Sequence, residues 1–355
     1  MPVNEFRDPP QAERKLGIEM KSRKLVEMTI NFDNPERIPR HMWLLPWAER
    51  HYPDYSKKIK NKYPDDITAA PALYTKPLNI SGKRYDIGIY TDEWGCRFHN
   101  IQDGVIGMVH EPLIKDWTEV VGFKTPDLAL NVDKELINSF CKSTEKFVHA
   151  GNITRPFERF NFIRTMELSL MDLVMEEPGM IALFNKIHEH YMKEVEVWAS
   201  TNVDAISLMD DWGTQNGMLA SPELFRKYFK PMYKDYCDIA KHYGKYVFMH
   251  SDGNILEILP DLIEVGVDAL NSQVFCMDMK KLNNDISGKL TFWGEIDRQD
   301  ILPNGSFNDV YDAVSLVYKN LYRNGGVIAQ CEFGPGAKPE NVMKVFECWD
   351  NIIRN

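Results

Sequence analysis

The chain has 355 residues and a formal net charge of −10, with 44% hydrophobic and 26% charged side chains. That length suits two ordinary domains or one large α/β barrel with extensions. The acidic balance argues against the basic surface of a nucleic-acid binder or a polybasic membrane protein, and no apolar run reaches the ~20 residues that span a bilayer.

Residues 1–36 read as a polar helical extension, broken by Pro9 and Pro10, ahead of a single barrel domain at 37–355. Its first fifteen residues carry no secretory pattern. The six cysteines form no C-x-x-C pair, so reduced thiols and a cytoplasmic location are expected. Residues 37–43 (RIPRHMW) read as a first strand. The stretch 44–125 is irregular, with a hairpin insertion expected from 85–90 and 96–100 around Thr91-Asp92-Glu93-Trp94-Gly95.

Beyond residue 200 the pattern becomes regular. Strands are expected at 203–208, 246–249, 267–270, 290–293 and 327–330. Helices are expected at 221–243, 255–265, 307–323 and 339–353. Ser221 is the N-cap of the first of these, Pro222 its N1 residue and Gly244 its stop. Short apolar strands alternating with amphipathic helices imply parallel βα units. At least five such units after residue 200 favour a distorted (β/α)8 TIM barrel over an open doubly wound sheet. No G-x-G-x-x-G or G-x-x-x-x-G-K-[ST] follows a strand, which counts against nucleotide-binding versions of the open fold.

Barrel chemistry collects on the loops after strands, and each late strand is followed by polar side chains. Asp210, Asp211, Trp212 and Gln215 follow 203–208. His250 and Asp252 follow 246–249. Asn271, Gln273 and Cys276 follow 267–270, Glu295 follows 290–293, and Cys331 and Glu332 follow 327–330. Zinc takes His nitrogen and Cys sulfur, and a catalytic zinc keeps one position open. His250, Cys331 and Cys276 are therefore metal candidates, although each cysteine is equally readable as a buried small apolar residue. Asp211 is the preferred catalytic carboxylate of the Asp210-Asp211 pair. Glu295 and Glu332 are read as further ligands or as partners that orient His250. The aromatic segment with Trp43 and Trp47 reads as core, lid or substrate wall.

Four segments carry a family resemblance. They are FMHSDGNILEILPDLIEVGVDALNSQ at 248–273, DDWGTQNGMLASPELFRKYFKPMY at 210–233, TDEWG at 91–95 and GPGAKPENV at 334–342. Together they resemble the uroporphyrinogen decarboxylase superfamily over about residues 37–354, which implies a distorted (β/α)8 barrel. True decarboxylases in that superfamily use no metal and hold tetrapyrrole carboxylates with two arginines in an N-terminal block. Here Arg50 matches the second arginine but Pro46 stands where the first belongs. An octa-anionic substrate needs cationic clamps, so the resemblance points instead to the corrinoid-linked methyltransferase branch. That branch binds zinc through a His-x-Cys motif and a late Cys. His250 and Cys331 match its outer ligands, while Asp252 replaces the middle cysteine and ligates through oxygen, or Cys276 serves from the next strand.

The resemblance thus implies a zinc enzyme that moves a methyl group between a small methoxylated compound, aromatic in the preferred version, or a thiol and the cobalt of a corrinoid-binding partner protein. In it Asp211, Asp92 and Glu295 are the catalytic candidates, Gln215 and Asn271 the cofactor-side ones. Trp43, Trp47, Arg50 and Trp212 are the substrate-side candidates. The alternatives are a metal-free decarboxylase, with Asp92 or Asp211 stabilising a protonated pyrrole-like intermediate, and a non-catalytic corrinoid or tetrapyrrole binder.

Overall fold

The computed structural model describes residues 20–151 and 154–352. Eight parallel strands carry the fold. They are β1 (Arg40–Leu44), β2 (Ile67–Ala69), β3 (Phe147–His149), β4 (Ala205–Met209), β5 (Tyr246–Ser251), β6 (Ala269–Ser272), β7 (Thr291–Trp293) and β8 (Val327–Phe333). They pair in the order β1-β8-β7-β6-β5-β4-β3-β2. At the seam between β1 and β2 the Asp66 amide donates to the Arg40 carbonyl at 2.8 Å, and Asp65 accepts from the Met42 amide at 2.7 Å. The sheet is thereby a nearly closed TIM barrel ringed by helices.

Side chains alternate between its two faces, as the strand period of two requires. Ile67, Phe147, Ala205, Phe248, Ala269, Trp293 and Ile328 meet inside the barrel. Their neighbours Val148, Ile206, Met249, Leu270, Phe292, Ala329 and Cys331 pack outward against the helices. Burying a side chain of the size of Phe147 or Phe292 contributes about 1.5–3 kcal/mol.

The short helix Ser22–Ile30 closes the N-terminal end. Val26 and Ile30 join the internal cluster, and Arg23 ties the helix to Asp204, which precedes β4, at 2.9 Å. Pro9 and Pro10 lie outside the described residues. The hairpin is present: Gly88–Thr91 pairs antiparallel with Arg97–Asn100, and Met108–Val109 adds a third strand.

Several boundaries differ from the sequence reading. β2 and β3 are three residues each, too short to show a period. The third late strand lies at 269–272 rather than 267–270, and β5 extends to Ser251, so His250 and Asn271 are strand residues. The 221–243 helix is broken into Pro222–Leu224, a π turn at Phe225–Phe229 and Lys230–His242. Pro231 supplies the reason, since it has no N–H to continue the α ladder.

Candidate metal centre at the barrel mouth

The C-terminal end of β5 brings His250 to the mouth with its ring inward, like Phe248 two residues before it. Asn271, opposite it on β6, fixes the ring. The Asn271 amide nitrogen donates to the Trp293 carbonyl, which leaves its oxygen to accept from His250 Nδ1 at 2.5 Å. A neutral imidazole with its proton on Nδ1 has a bare Nε2. That Nε2 lies 3.4 Å from Asp211 Oδ1 and 3.5 Å from Asp252 Oδ1.

Two glycines allow the carboxylates to converge. The loop after β4 and the loop after β5 lie against one another, with the Gly213 amide donating to the Asp252 carbonyl at 3.1 Å. A Cβ on Gly253 would sit 2.2 Å from the Gly213 carbonyl carbon, and Gly253 has φ +78°. Only glycine meets both demands. The Asp252 amide then donates to Asp211 Oδ1 at 3.0 Å, and the Trp212 amide donates to Ser251 Oγ at 3.0 Å.

The three donor atoms lie within 4.8 Å of one another. Around a tetrahedral zinc, ligands about 2.0–2.1 Å from the metal are about 3.3–3.4 Å apart, close to the two spacings from His250. The chemistry also fits. Asp252 Oδ1 is buried and has no hydrogen-bond partner among the described residues. A bare imidazole nitrogen facing two carboxylates is a set of acceptors that a cation satisfies. One nitrogen and two oxygens leave a fourth position open, the pattern of a catalytic site.

Arg298 braces this group. Its guanidinium pairs with the other oxygen of Asp252, with Glu332 at 2.8 Å and with Glu295 at 3.8 Å. Burial works against the Arg298 charge, but the carboxylates of Glu295, Glu332 and Asp252 outweigh it and hold its pKa above the usual value. Burial pushes Glu295 well above the ordinary carboxyl range and raises Glu332. A cavity of about 480 Å³ opens beside Arg298 and Glu332, walled by Gly334, Pro335 and Ala337, within the size range of small-molecule sites.

The candidates from the sequence are distributed as follows. Asp211, His250 and Asp252 come together, with Asn271 orienting the histidine. Trp43 lies against the His250 ring, 5.1 Å between centroids. Cys331 does not join them. It sits on the outward face of β8 beside Met42 of β1, because inward positions on that strand are Ile328, Gln330 and Glu332. Burial pushes its thiol well above the usual range, which disfavours the thiolate a metal binds. Cys276 also stands apart, donating to Gln215 at 3.1 Å, so Gln215 is occupied there.

Asp92 is committed elsewhere. One oxygen takes the Trp94 and Cys96 amides, and the other pairs with Arg159 at 2.5 Å. Glu295 is in contact with Arg298 rather than with the three ligands. Trp212 is fully buried core: its indole stacks on Phe157 at 3.9 Å and donates to the Tyr233 hydroxyl at 2.8 Å. Trp47 stacks on His51. Arg50 is held by Asp86 at 2.9 Å, by Asp103 and by the Tyr85 carbonyl, so it braces the insertion. Asp210 accepts from the amides of Phe157 and Glu158 and from Tyr233, anchoring the start of the helix Pro156–Arg164.

Sequence reasoning passed over Arg298, His41 and His149. Arg298 follows Glu295 by three residues in the loop after β7. His41 was legible as an inward position had strand alternation been applied from Trp43.

A family model described as "Uroporphyrinogen decarboxylase (URO-D)" matches residues 25–352. No curated protein matches the chain. Among solved structures, a methyltransferase from Methanosarcina mazei superposes with a TM-score of 0.69 at 14% identity, covering 94% of this chain and 99% of that one. At that identity the likeness is one of fold. A glycosylated family 10 endo-β-1,4-xylanase from Gloeophyllum trabeum is looser, with a TM-score of 0.42 at 10% identity over 89% of this chain and 98% of that one.

Proposed function

The chain belongs to the uroporphyrinogen decarboxylase family, and from that premise we propose that it is a zinc-dependent methyltransferase. In this reading it moves a methyl group between a small methoxylated compound or a thiol and the cobalt of a corrinoid carried by a partner protein. The carrying observation is the convergence of His250 Nε2, Asp211 Oδ1 and Asp252 Oδ1, the last of them buried with no hydrogen-bond partner among the described residues. The fold likeness to the archaeal methyltransferase supports the methyl-transfer branch. The family name itself is that of a decarboxylase, but Arg50, which would clamp substrate carboxylates in that alternative, is tied to Asp86 and Asp103.

His250, Asp211 and Asp252 would hold the ion. Bound there, zinc supplies Lewis-acid chemistry, making an ether oxygen a better leaving group or lowering the pKa of a thiol. The protein's own residues do the rest. Asn271 keeps the His250 proton on Nδ1 and the lone pair on Nε2. Arg298 offsets the charge of three carboxylates and keeps Asp252 turned toward the imidazole. Trp43 shields one side of the ring from water.

The test is metal analysis with activity. Purified protein should carry one zinc per chain and transfer methyl from a methoxyphenol to free cob(I)alamin. His250→Ala and Asp252→Ala should lose both. Metal-free protein, with transfer equal in wild type and both variants, would remove the reading.

A further inference from the structure

Inside the barrel, two more histidines face the axis near the metal centre. His41 is on β1 and His149 on β3, their rings edge to face with centroids 6.3 Å apart. Both are half-buried. The surrounding hydrogen bonds fix where each carries its proton.

His41 Nδ1 accepts from two indoles, Trp43 Nε1 at 3.2 Å and Trp293 Nε1 at 3.1 Å. A nitrogen that receives two N–H donors bears no proton, so a neutral His41 carries it on Nε2 and that atom is a donor. His149 is the reverse. Its Nδ1 lies 3.1 Å from the Ala150 carbonyl and 2.8 Å from Ser207 Oγ. The Ser207 hydroxyl spends its own proton on the same carbonyl, at 3.2 Å. Nδ1 of His149 is therefore the donor, and its Nε2 is a bare acceptor. Among the described residues no group bonds Nε2 of either ring. Burial holds both imidazoles in the neutral form; His149 is pushed down to about 4 and His41 well below its usual value.

A third polar group stands beside them. Gln330 is opposite His41 in the β1–β8 register, is fully buried, and neither its amide oxygen nor its nitrogen has a partner among the described residues. Trp43 links this group to the metal centre. Trp43 lies 6.5 Å from the His41 ring and 5.1 Å from the His250 ring, centroid to centroid.

We propose that His41 and His149 form a hydroxyl-recognition pair for the small molecule handled at the His250 centre. The ligand class is an uncharged aromatic or aliphatic hydroxyl compound. Its oxygen accepts from His41 Nε2, its proton goes to His149 Nε2, and Gln330 pairs with a second polar substituent. A hydroxyl is a small neutral group that is donor and acceptor at one atom, which is what a protonated and a bare nitrogen together require. A compound that carries a methoxy group or a hydrogen in place of this hydroxyl leaves one or both nitrogens unpaired and binds more weakly. This inference deepens the methyltransferase reading by naming a substituent of its substrate or product, and rests on that reading for the chemistry.

The experiment titrates the full-length protein with phenol, anisole and toluene, read by quenching of tryptophan fluorescence. Wild type should bind phenol about tenfold or more tighter than anisole or toluene. His149→Phe removes the acceptor while keeping a ring, and should bring the three within about threefold. His149→Gln restores an acceptor oxygen and should recover a preference for phenol. Circular dichroism and the zinc content of each variant report folding and the separate metal centre. Equal binding of all three probes by folded wild type, or an undiminished preference in folded His149→Phe, overturns the proposal. If His149→Phe does not fold, the His149→Gln variant and the wild-type ratio decide it. Phenol selectivity in a protein that binds no zinc leaves the recognition pair standing and sinks the metal reading alone.

Discussion

Asn271→Ala is the most informative single change, because it separates the metal centre from the barrel that carries it. The Asn271 side chain is fully buried and makes two hydrogen bonds, one from His250 Nδ1 and one to the Trp293 carbonyl. Truncation leaves a ring N–H and a carbonyl unpaired in a dry site, at about 1–3 kcal/mol each. Stability should therefore fall by about 2–6 kcal/mol, read by urea unfolding. The second effect is on the metal. With the ring released, Nε2 no longer points by constraint at Asp211 and Asp252, and zinc affinity should fall about 10–100-fold, read by competition with a chromophoric chelator. Asn271→Asp keeps an acceptor for Nδ1 but turns an oxygen on the Trp293 carbonyl. It should stay close to wild type in zinc affinity while losing stability. Wild-type zinc affinity in folded Asn271→Ala would refute the reasoning that this amide positions the ligand.

Three further outcomes follow from the same geometry. Cys331→Ala should leave zinc stoichiometry unchanged, because its sulfur packs outward between β8 and the helices; loss of the metal in a folded Cys331→Ala protein would contradict the strand alternation. Val26→Asp places a carboxylate in the internal cluster at the barrel floor and should cost about 3–5 kcal/mol in urea unfolding, as an unpaired buried charge does. Stability should also decline as pH falls below about 6.5, the ordinary value for histidine. Burial pushes His190 down to about 3 and His149 to about 4, so between those values and 6.5 the unfolded chain binds protons the native state refuses, and stability rises with pH. His190→Phe should shrink the loss in urea midpoint between pH 7 and pH 5; an unchanged slope would show that His190 takes up no such strain.

Much of the architecture was legible because it repeats. Five strand–helix units after residue 200, with capping serines, N1 prolines and stop glycines, are local signals that survive in one dimension. The hairpin around Thr91–Gly95 was legible for the same reason. The plug function of Ser22–Ile30 was not. Its apolar residues point into a barrel built by strands up to 306 residues away in sequence (Ile328 against Ser22).

The site divides along the same line. Residue chemistry alone nominated His250, Asp211, Asp252 and Asn271, since polar residues cluster where barrel strands end. It could not choose between them and Cys331, Cys276 or Trp212, because a shift of one residue along a strand exchanges mouth for helix layer. Arg298 was overlooked because its three carboxylate partners, Asp252, Glu295 and Glu332, come from three different strand ends. Sequence by itself thus determined which elements form and which residue types reach the rim. Tertiary structure decided which atoms share an ion or a proton, because inward and outward positions, and the pairing of loops through Gly213 and Gly253, exist only once the barrel has closed.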